Sequence, residues 1–265
     1  MQKLFGEYGD LPRAGIGGKV YGSTPYPQDQ AILFHNESSH MHRWPLRIWF
    51  YCAQAAEQGG ETPIVDCREV YRRLDPAIIE RFRERKVIYV RNYNDGIDVS
   101  WSEFYRTEDR ATVEEFCRRA GVEFEWKPDN GLRTRQVCEA VRVHPQTGEM
   151  VFFNQIQLHH ISFLEASAQQ AVLSLFEEKD YPRNVYYGDG SPLEPEVIDD
   201  ISRTYERTAV SFRWQPGDIL MLDNMLTAHA RKPYVGQRKI AVAMAKMFYA
   251  EQAEGRAAGV TDTPR

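Results

Sequence analysis

The chain has 265 residues, of which 42% are hydrophobic and 12% aromatic, and this is enough to bury one sizeable core. Its formal net charge of −5, without a basic face, argues against a nucleic-acid partner. There is no apolar stretch of membrane-spanning length and no C-x-x-C spacing among the four cysteines. We therefore predict a single domain over residues 1–265 in the reducing cytoplasm, with no membrane contact.

The hydrophobic pattern predicts many short strands with helices inserted between them. Aromatic, β-branched and alternating runs predict strands at residues 19–23, 31–34, 46–52, 87–93, 122–126, 132–138, 140–143, 150–154, 208–214, 219–222 and 239–249. Capping residues and helical periodicity predict helices at 67–74, 76–85, from 109 or 112 to 121, 166–179 and 194–207. Residues 1–18 read as a leader and residues 251–265 as a frayed tail.

This order of elements predicts a mainly β fold with α insertions. Helices that do not alternate regularly with strands argue against a doubly wound parallel sheet and favour an antiparallel double sheet or jelly roll. Residues 144–148, between two short strands, predict a hairpin turn. A ligand cavity between the two sheets suits this architecture.

His35 and Glu37 form the first candidate metal site. They follow an apolar run at a spacing of two, so on a strand both side chains point to one face. One more histidine from a distant strand would complete a two-histidine, one-carboxylate set, which holds non-haem Fe(II) and leaves positions open. A surface His-x-Glu pair without a metal is the alternative.

The candidate third ligand is His229, which lies where an apolar strand runs into a turn. Nine residues later, Arg238 begins the last long strand. A guanidinium that points into the same cavity can clamp the distal carboxylate of a dicarboxylic co-substrate through two hydrogen bonds, which lysine does less well.

Three motifs occur together in a specific order: His-x-Glu at 35–37, Gly-Gly-x-Thr at 59–62, and Asn-Met-Leu-x-x-His-x-Arg-x-Pro at 224–233, followed by an arginine. This order resembles the taurine-dioxygenase-like (TauD/TfdA) family of Fe(II)/2-oxoglutarate oxygenases. The resemblance is strongest to the branch associated with peptide natural-product biosynthesis. It extends from about residue 18 to residue 247 and includes residues 153–155 and 182–190.

The resemblance implies a double-stranded β-helix (jelly-roll) core that uses Fe(II), 2-oxoglutarate and O₂. His35, Glu37 and His229 match the iron ligands, and Arg238 and Thr62 match the residues that hold 2-oxoglutarate. Thr62 is otherwise an ordinary β residue after a Gly-Gly turn. Relative to the family the chain starts late, so we expect a natural short form, a fragment, or a domain that a partner completes.

The implied reaction is hydroxylation of an sp3 carbon in an amino acid or amino-acid-derived metabolite, free or tethered to a carrier protein. Desaturation, epoxidation and cyclisation by the same iron centre are the near alternatives. Glu37 stands where halogenating relatives have a small residue, so we expect no halogenation. Val242 stands where sulfonate-processing relatives have a second arginine, so taurine is not the expected substrate.

Four further residues are candidates for substrate binding. Arg135 and Arg231 would recognise a carboxylate or form interior salt bridges, since a buried arginine is seldom unpaired. Asn154 would line the pocket or end a strand, and His160 would reach the substrate or serve the structure.

His40 and His42 form a second pair after Glu37. They would line the mouth of the site, lie exposed, or bind a surface metal.

Two other classes remain open from the sequence. A non-catalytic jelly-roll binding module has no need of His35, Glu37, His229 and Arg238 together. A zinc hydrolase or isomerase on a cupin-like barrel has no need of Arg238 and Thr62. The oligomeric state is not predicted.

Overall fold

The computed structural model describes residues 15–17, 20–23, 26–93, 99–128 and 130–250. Its strands are β1 (Gly15–Gly17), β2 (Val20–Gly22), β3 (Ile32–His35), β4 (Arg43–Gln54), β5 (Gln58–Gly59), β6 (Ile64–Asp66), β7 (Val87–Tyr93), β8 (Glu123–Trp126), β9 (Leu132–Cys138), β10 (Val141–Val143), β11 (Met150–Phe152), β12 (Arg183–Tyr187), β13 (Ile219–Asp223), β14 (Thr227–Arg231), β15 (Tyr234–Val235) and β16 (Lys239–Tyr249). Its helices are α1 (Cys67–Arg73), α2 (Pro76–Arg85), α3 (Trp101–Tyr105), α4 (Arg110–Ala120), α5 (Ile156–His159), α6 (Ala166–Leu175) and α7 (Pro195–Thr208).

Two antiparallel sheets face each other around the candidate site. One has five strands in the order β1-β2-β16-β4-β13, and the other has three in the order β3-β14-β6. Alternate residues of β4, including Ile48, Phe50 and Cys52, are buried because they point toward the opposite sheet. The ring of Phe50 lies 5.1 Å from the ring of His229 on β14. The predicted jelly roll, mainly β with α insertions, is confirmed.

A third sheet supports the side of the barrel. Its strand order is β12-β7-β9-β8, and α3 and α4 pack against it through a separate apolar cluster formed by Tyr93, Trp101, Val113, Cys117 and Leu132. Asp109 caps the start of α4, and Gly121 ends it in the left-handed conformation that glycine tolerates. The start of α4 agrees with the first of the two predicted positions.

The largest apolar cluster joins the helices to the site. Helix α7 buries Val197, Ile198, Ile201 and Tyr205 on one face, as the 3.6-residue period requires. The ring of Tyr205 stacks on Phe34 at a centroid distance of 5.3 Å. Since Phe34 precedes His35 on β3, this cluster fixes the strand that carries the first candidate ligand.

Several predicted elements are confirmed. Asp66 and Asp75 cap α1 and α2 through their side chains, as the start signals indicated. The hairpin at residues 144–148 joins β10 to β11. All four cysteines are free and buried. Among the described helices none is long and apolar enough to cross a membrane.

Other predicted elements are wrong in extent or kind. Residues 208–214 are not a strand, because only Val210 pairs, with Ile64, while Trp214 turns inward to donate to Thr62. Helix α6 ends at Leu175 instead of residue 179, and Glu177 and Glu178, which follow it, are unfavourable at the negative end of the helix dipole. The sequence did not predict six short strands and two helices, which are β1, β5, β6, β12, β14, β15, α3 and α5. The leader before residue 15 and the tail from residue 251 lie outside the described residues.

Candidate functional site

The three predicted metal ligands meet between the two facing sheets. Their ligand atoms all lie within 4.8 Å of one another, and all three residues are buried. His35 and His229 are direct register partners of β3 and β14, which explains why residues 194 positions apart in sequence come together. Glu37 lies in the turn after β3, so the strand argument for its direction was wrong, although the three residues do meet.

The orientation of His35 is set by the backbone. Its Nδ1 lies 2.8 Å from the carbonyl oxygen of Leu33, to which it donates. Nε2 therefore keeps its lone pair, which is the form in which a neutral imidazole binds a metal. The Phe50 ring packs edge-on against the His229 ring, with 5.1 Å between their centroids.

Two buried asparagines hold the turn that carries Glu37. The side chain of Asn224 accepts from the Glu37 amide at 2.8 Å and donates to the carbonyl oxygens of Glu37 and Pro45, each at 2.9 Å. The side chain of Asn36 donates to the Asn224 carbonyl oxygen at 2.7 Å and accepts from the Asn154 amide at 3.1 Å. These roles were not predicted from the sequence, although Asn224 begins the motif that contains His229 and Asn36 separates two candidate ligands.

Replacing Asn224 with alanine is expected to loosen the metal site as well as the fold. Loss of three hydrogen bonds leaves buried backbone groups unpaired, and one such group costs about 1–3 kcal/mol of unfolding free energy. The affinity for Fe(II) should fall about 10–100-fold, as it does when residues that orient ligands are removed. Metal titration and urea unfolding measure the two effects. Asn184→Ala is the control, since Asn184 is buried and accepts from Ile161 outside this network. An Asn224→Ala protein with unchanged iron affinity would show that Asn224 does not position Glu37.

A partly buried cation, Arg238, contacts the segment that leads into β6. Arg238 donates from Nε to the Gly60 carbonyl oxygen at 2.9 Å and from Nη2 to Thr62 Oγ1 at 3.3 Å. Burial, together with repulsion from Arg231, lowers the pKa of Arg238 to about 10. The Glu61 carboxylate raises this pKa, but among the described residues no carboxylate forms an ion pair with Arg238, so a bound anion would stabilise its charge further.

The Gly-Gly turn before Thr62 allows this approach. Gly60 has a φ of +72°, and a Cβ there would lie 3.0 Å from the Arg238 side chain. Gly59 has a φ of +68°, and a Cβ there would lie only 2.2 Å from the Pro233 carbonyl oxygen. Thr62 then sits two residues before Ile64, the register partner of His229 on β14. Thr62 therefore lies next to β6, and β6 pairs with β14, the strand that carries His229.

Comparison with known proteins identifies the family. Residues 5–244 match the sequence profile of the Taurine catabolism dioxygenase TauD, TfdA family. The chain belongs to the TauD/TfdA family. This TauD/TfdA protein is an Fe(II)- and 2-oxoglutarate-dependent oxygenase that uses O₂, as the sequence motifs indicated.

Two relatives resemble the chain in sequence, and one solved structure resembles it in fold. The chain is 39% identical over 230 residues to the dapdiamide synthesis protein DdaC of Enterobacter agglomerans, covering 87% of this chain and 70% of that protein. It is 30% identical over 249 residues to a clavaminate synthase-like protein of Arabidopsis thaliana, covering 90% and 72%. Its fold is similar to that of an asparagine oxygenase with Fe(II), 2S,3S-3-hydroxyasparagine and succinate, at a TM-score of 0.52 and 12% identity. That alignment covers 91% of this chain and 60% of the other.

The donor set of this TauD/TfdA protein fits Fe(II). Two imidazoles and one carboxylate are the ligand types that non-haem iron takes, and the backbone contact of His35 directs its free nitrogen away from Leu33. The cation at Arg238 fits a dicarboxylate co-substrate. The fit to iron depends on the three buried ligands, and the fit to the co-substrate depends on Arg238 and Thr62.

The predicted substrate residue Asn154 holds a structural position. Its side chain donates to the Tyr205 hydroxyl at 3.2 Å and accepts from the Ile156 amide at 3.0 Å, while its backbone pairs with Asn36. All these partners belong to the protein, which favours the strand-end alternative.

His160 caps the short helical turn Ile161–Phe163. Its Nδ1 accepts from the Ser162 amide at 3.2 Å, and burial lowers its pKa to about 4. The structural alternative is again the one that these contacts favour.

The lowered pKa of His160 predicts that the free energy of unfolding depends on pH. Since the folded protein holds the pKa near 4 and an unfolded histidine has its ordinary value of 6.5, the unfolded state takes up a proton first. The contribution to stability is complete above pH 6.5 and falls by about 3 kcal/mol as the pH drops to 4. His160→Asn keeps a capping acceptor and should remove this loss, as measured by urea unfolding at pH 7, 5.5 and 4.5. An unchanged pH dependence in the variant would assign the loss to other groups.

The surroundings of Arg231 and Arg135, the two arginines predicted to bind the substrate, differ from those expected. Arg231 is buried, but it donates to the carbonyl oxygens of Tyr26, Pro27 and Gln30, so it anchors that loop to β14. Arg135 is exposed, because it lies on the opposite face of β9 from Thr134. The argument that Arg135 is a buried cation was wrong.

Proposed function

We propose that this protein hydroxylates an sp3 carbon of an amino acid or of an amino-acid-derived metabolite, free or tethered to a carrier protein. His35, Glu37 and His229 would hold Fe(II), and Arg238 with Thr62 would hold the distal carboxylate of 2-oxoglutarate. The observation that carries the proposal is the meeting of three buried ligands, together with the contact of Arg238 with Thr62, two residues before the partner of His229 on the neighbouring strand. The likeness to the dapdiamide synthesis protein supports a substrate of the amino-acid class.

Bound Fe(II) supplies the O₂ chemistry that couples decarboxylation of 2-oxoglutarate to oxidation of the substrate. The protein's own part is to fix and shield the reacting groups. The Leu33 carbonyl oxygen orients His35, the Asn224 side chain holds the Glu37 backbone, and Phe50 covers His229. Arg238 would orient the co-substrate through its planar guanidinium, which is suited to a carboxylate.

Two residues restrict the reaction and the substrate. Glu37 supplies a carboxylate, so no ligand position is left for a halide in its place, and halogenation is not proposed. Val242 is buried on β16 and offers no charge to a sulfonate. Desaturation, epoxidation and cyclisation would use the same residues, since the outcome depends on which substrate carbon lies nearest the iron.

The test is turnover with a panel of amino acids. The protein is supplied with Fe(II), 2-oxoglutarate and ¹⁸O₂, and succinate and product mass are measured for each free amino acid and for amino acids loaded on a carrier protein. One substrate should raise succinate formation and gain one ¹⁸O atom. A product that loses two hydrogens without gaining oxygen would replace hydroxylation by desaturation or ring formation. No stimulation by any amino acid, free or tethered, would contradict the proposed substrate class.

A further inference from the structure

The side-chain oxygen of Thr62 receives two hydrogen bonds. The indole Nε1 of Trp214 donates to Thr62 Oγ1 at 3.0 Å, and Nη2 of Arg238 donates to the same atom at 3.3 Å. Indole and guanidinium groups carry hydrogen-bond donors and no acceptors, so chemistry fixes the direction of both bonds. The oxygen of Thr62 is therefore the acceptor in each of them.

These two bonds decide what the hydroxyl hydrogen of Thr62 can do. A threonine hydroxyl has two acceptor lone pairs and one hydrogen, which rotates to suit its surroundings. Both lone pairs are occupied, and no residue in the described part of the chain accepts a hydrogen bond from this hydroxyl. Thr62 is buried, and a buried donor is rarely left without an acceptor. A bound ligand with an acceptor oxygen would satisfy it.

The guanidinium beside this hydroxyl also has donors left for a ligand. Arg238 uses Nε for the Gly60 carbonyl oxygen and Nη2 for Thr62, while its Nη1 makes no hydrogen bond to any described residue. A guanidinium carries five N–H donors in a fixed fork, and a carboxylate accepts several hydrogen bonds at once. Thr62 and Arg238 can therefore donate to one carboxylate together.

Packing fixes the ring of Trp214. The side chain is buried in the apolar cluster that also contains Phe50 and Leu222, and the Phe212 ring lies edge-on to it at a centroid distance of 4.9 Å. The Phe50 ring of the same cluster contacts the ring of His229. The indole that donates to Thr62 therefore belongs to the packed layer that adjoins a proposed metal ligand.

The turn that follows Trp214 is tied to β4. The Gly217 amide donates to the Cys52 carbonyl oxygen at 2.8 Å, and the Cys52 amide donates to the Asp218 carbonyl oxygen at 2.9 Å. The Gln215 amide donates to the Asp218 side chain at 2.8 Å. Gly217 has a φ of +98°, which glycine adopts without strain. Trp214 is thus held both by its ring and by the backbone next to it.

A purely structural contact between Trp214 and Thr62 is the alternative. A buried indole N–H needs an acceptor, and Thr62 supplies one. That need is met by one lone pair of the Thr62 oxygen. The second donor comes from Arg238, the cation proposed to hold the co-substrate, and it leaves only the hydrogen of this hydroxyl for a further partner.

We propose that Trp214 is a positioning residue for the co-substrate: with Arg238 it occupies both lone pairs of Thr62 Oγ1, so that the Thr62 hydroxyl donates to the distal carboxylate of 2-oxoglutarate. This inference rests on the proposed function and deepens it. Trp214 acts through Thr62 and needs no contact with the co-substrate. Hydrogen bonds in a chain polarise one another, so the indole also strengthens the donation by the hydroxyl.

A double-mutant cycle between Trp214 and Thr62 tests the proposal. The dissociation constant of 2-oxoglutarate is measured by calorimetry, without oxygen, on protein saturated with Fe(II). Thr62→Val removes the hydroxyl and should raise this constant at least about tenfold. Trp214→Phe removes the N–H but keeps a ring, and should raise it about three- to tenfold. In the Thr62→Val protein, Trp214→Phe should change it by less than about twofold, because the group through which it acts is gone.

Two results of the cycle would overturn the proposal. Equal loss of affinity on Trp214→Phe with and without the Thr62 hydroxyl would mean that Trp214 acts by packing alone. Unchanged affinity in Trp214→Phe alone would mean that the indole N–H does nothing for the co-substrate. Thr62→Ser keeps the hydroxyl and should bind within about threefold of the wild type. A loss as large as that of Thr62→Val would assign the effect to the threonine methyl group and would also overturn the proposal.

Trp101→Phe is the matched control. Trp101 is also buried, and its Nε1 donates at 2.9 Å to the Asn130 carbonyl oxygen, in the separate apolar cluster beside α3 and α4. Urea unfolding should show a similar loss of stability in both tryptophan variants. Only Trp214→Phe should raise the KM for 2-oxoglutarate, with kcat unchanged, since it weakens binding alone. An equal rise of KM in Trp101→Phe would reduce the effect to lost stability and overturn the proposal.

The same titrations separate this inference from the proposed function. Wild-type protein that binds Fe(II) but no 2-oxoglutarate would overturn both. Tight binding of 2-oxoglutarate by the wild type, with the same dissociation constant in Thr62→Val, would overturn only the inference. The expected cycle in a protein whose turnover no amino acid stimulates would support the inference and contradict only the proposed substrate class.

Discussion

Replacing His229 with alanine is expected to abolish 2-oxoglutarate turnover and to lower Fe(II) affinity by more than about 100-fold, since changes to residues that merely orient ligands already cost 10–100-fold. His229 is the only proposed ligand on β14, and its register partner is His35. Its removal leaves His35 and Glu37, which are too few to define a facial set. Iron content after gel filtration and succinate formation measure the two effects.

His160→Asn serves as the control for this variant. His160 is also a buried histidine, but its Nδ1 caps a helical turn, and the substitution keeps an acceptor for the Ser162 amide. The control should keep one Fe(II) per chain. If His229→Ala retained wild-type iron content and turnover, His229 would not be a ligand and the site would have to be rebuilt from other residues.

Replacing Arg238 with glutamine is expected to raise the KM for 2-oxoglutarate at least about 30-fold while Fe(II) still binds. Removal of one partner from a buried charged contact costs about 2–5 kcal/mol. Glutamine keeps a donor for the Gly60 carbonyl oxygen but loses the charge and the fork of the guanidinium. Steady-state kinetics at saturating Fe(II) measure the effect.

Arg135→Gln is the matched control, because Arg135 is an exposed strand arginine on β9. The same loss of charge there should leave the KM for 2-oxoglutarate unchanged. An Arg238→Gln protein with normal KM would show that another cation holds the co-substrate. Arg231 would then be the first residue to test, since its charge lowers the pKa of Arg238.

The candidate metal set could be predicted because its signal is local and chemical. His35 and Glu37 are two residues apart, and the motif around His229 extends over ten residues. The reason given for Glu37 was nevertheless wrong, since β3 ends at His35 and Glu37 lies in the turn. What directs this turn is Asn224, 187 residues away in sequence. No local pattern contains that contact.

The candidate substrate residues were harder to predict, because their contacts are also made by residues distant in sequence. Arg231 and Asn154 are polar and buried, as a pocket residue would be, but their partners are backbone groups brought near by folding. Whether a buried arginine meets a ligand or a loop carbonyl depends on tertiary contacts, which one sequence does not reveal. The exposure of Arg135 follows from the alternation along β9, where Leu132 and Thr134 take the inner face. The strand was predicted, but the face that would be buried was not.

Fe(II) and 2-oxoglutarate are expected to bind together in this site. The decisive measurement is a titration of the metal-free protein with Fe(II) and then 2-oxoglutarate under anaerobic conditions, while visible absorbance is recorded. A weak charge-transfer band should appear only when both are present, and it should be absent in His229→Ala. Iron that binds without producing the band when 2-oxoglutarate is added, or tight zinc binding with no effect of 2-oxoglutarate, would rule out joint binding of Fe(II) and 2-oxoglutarate at this site.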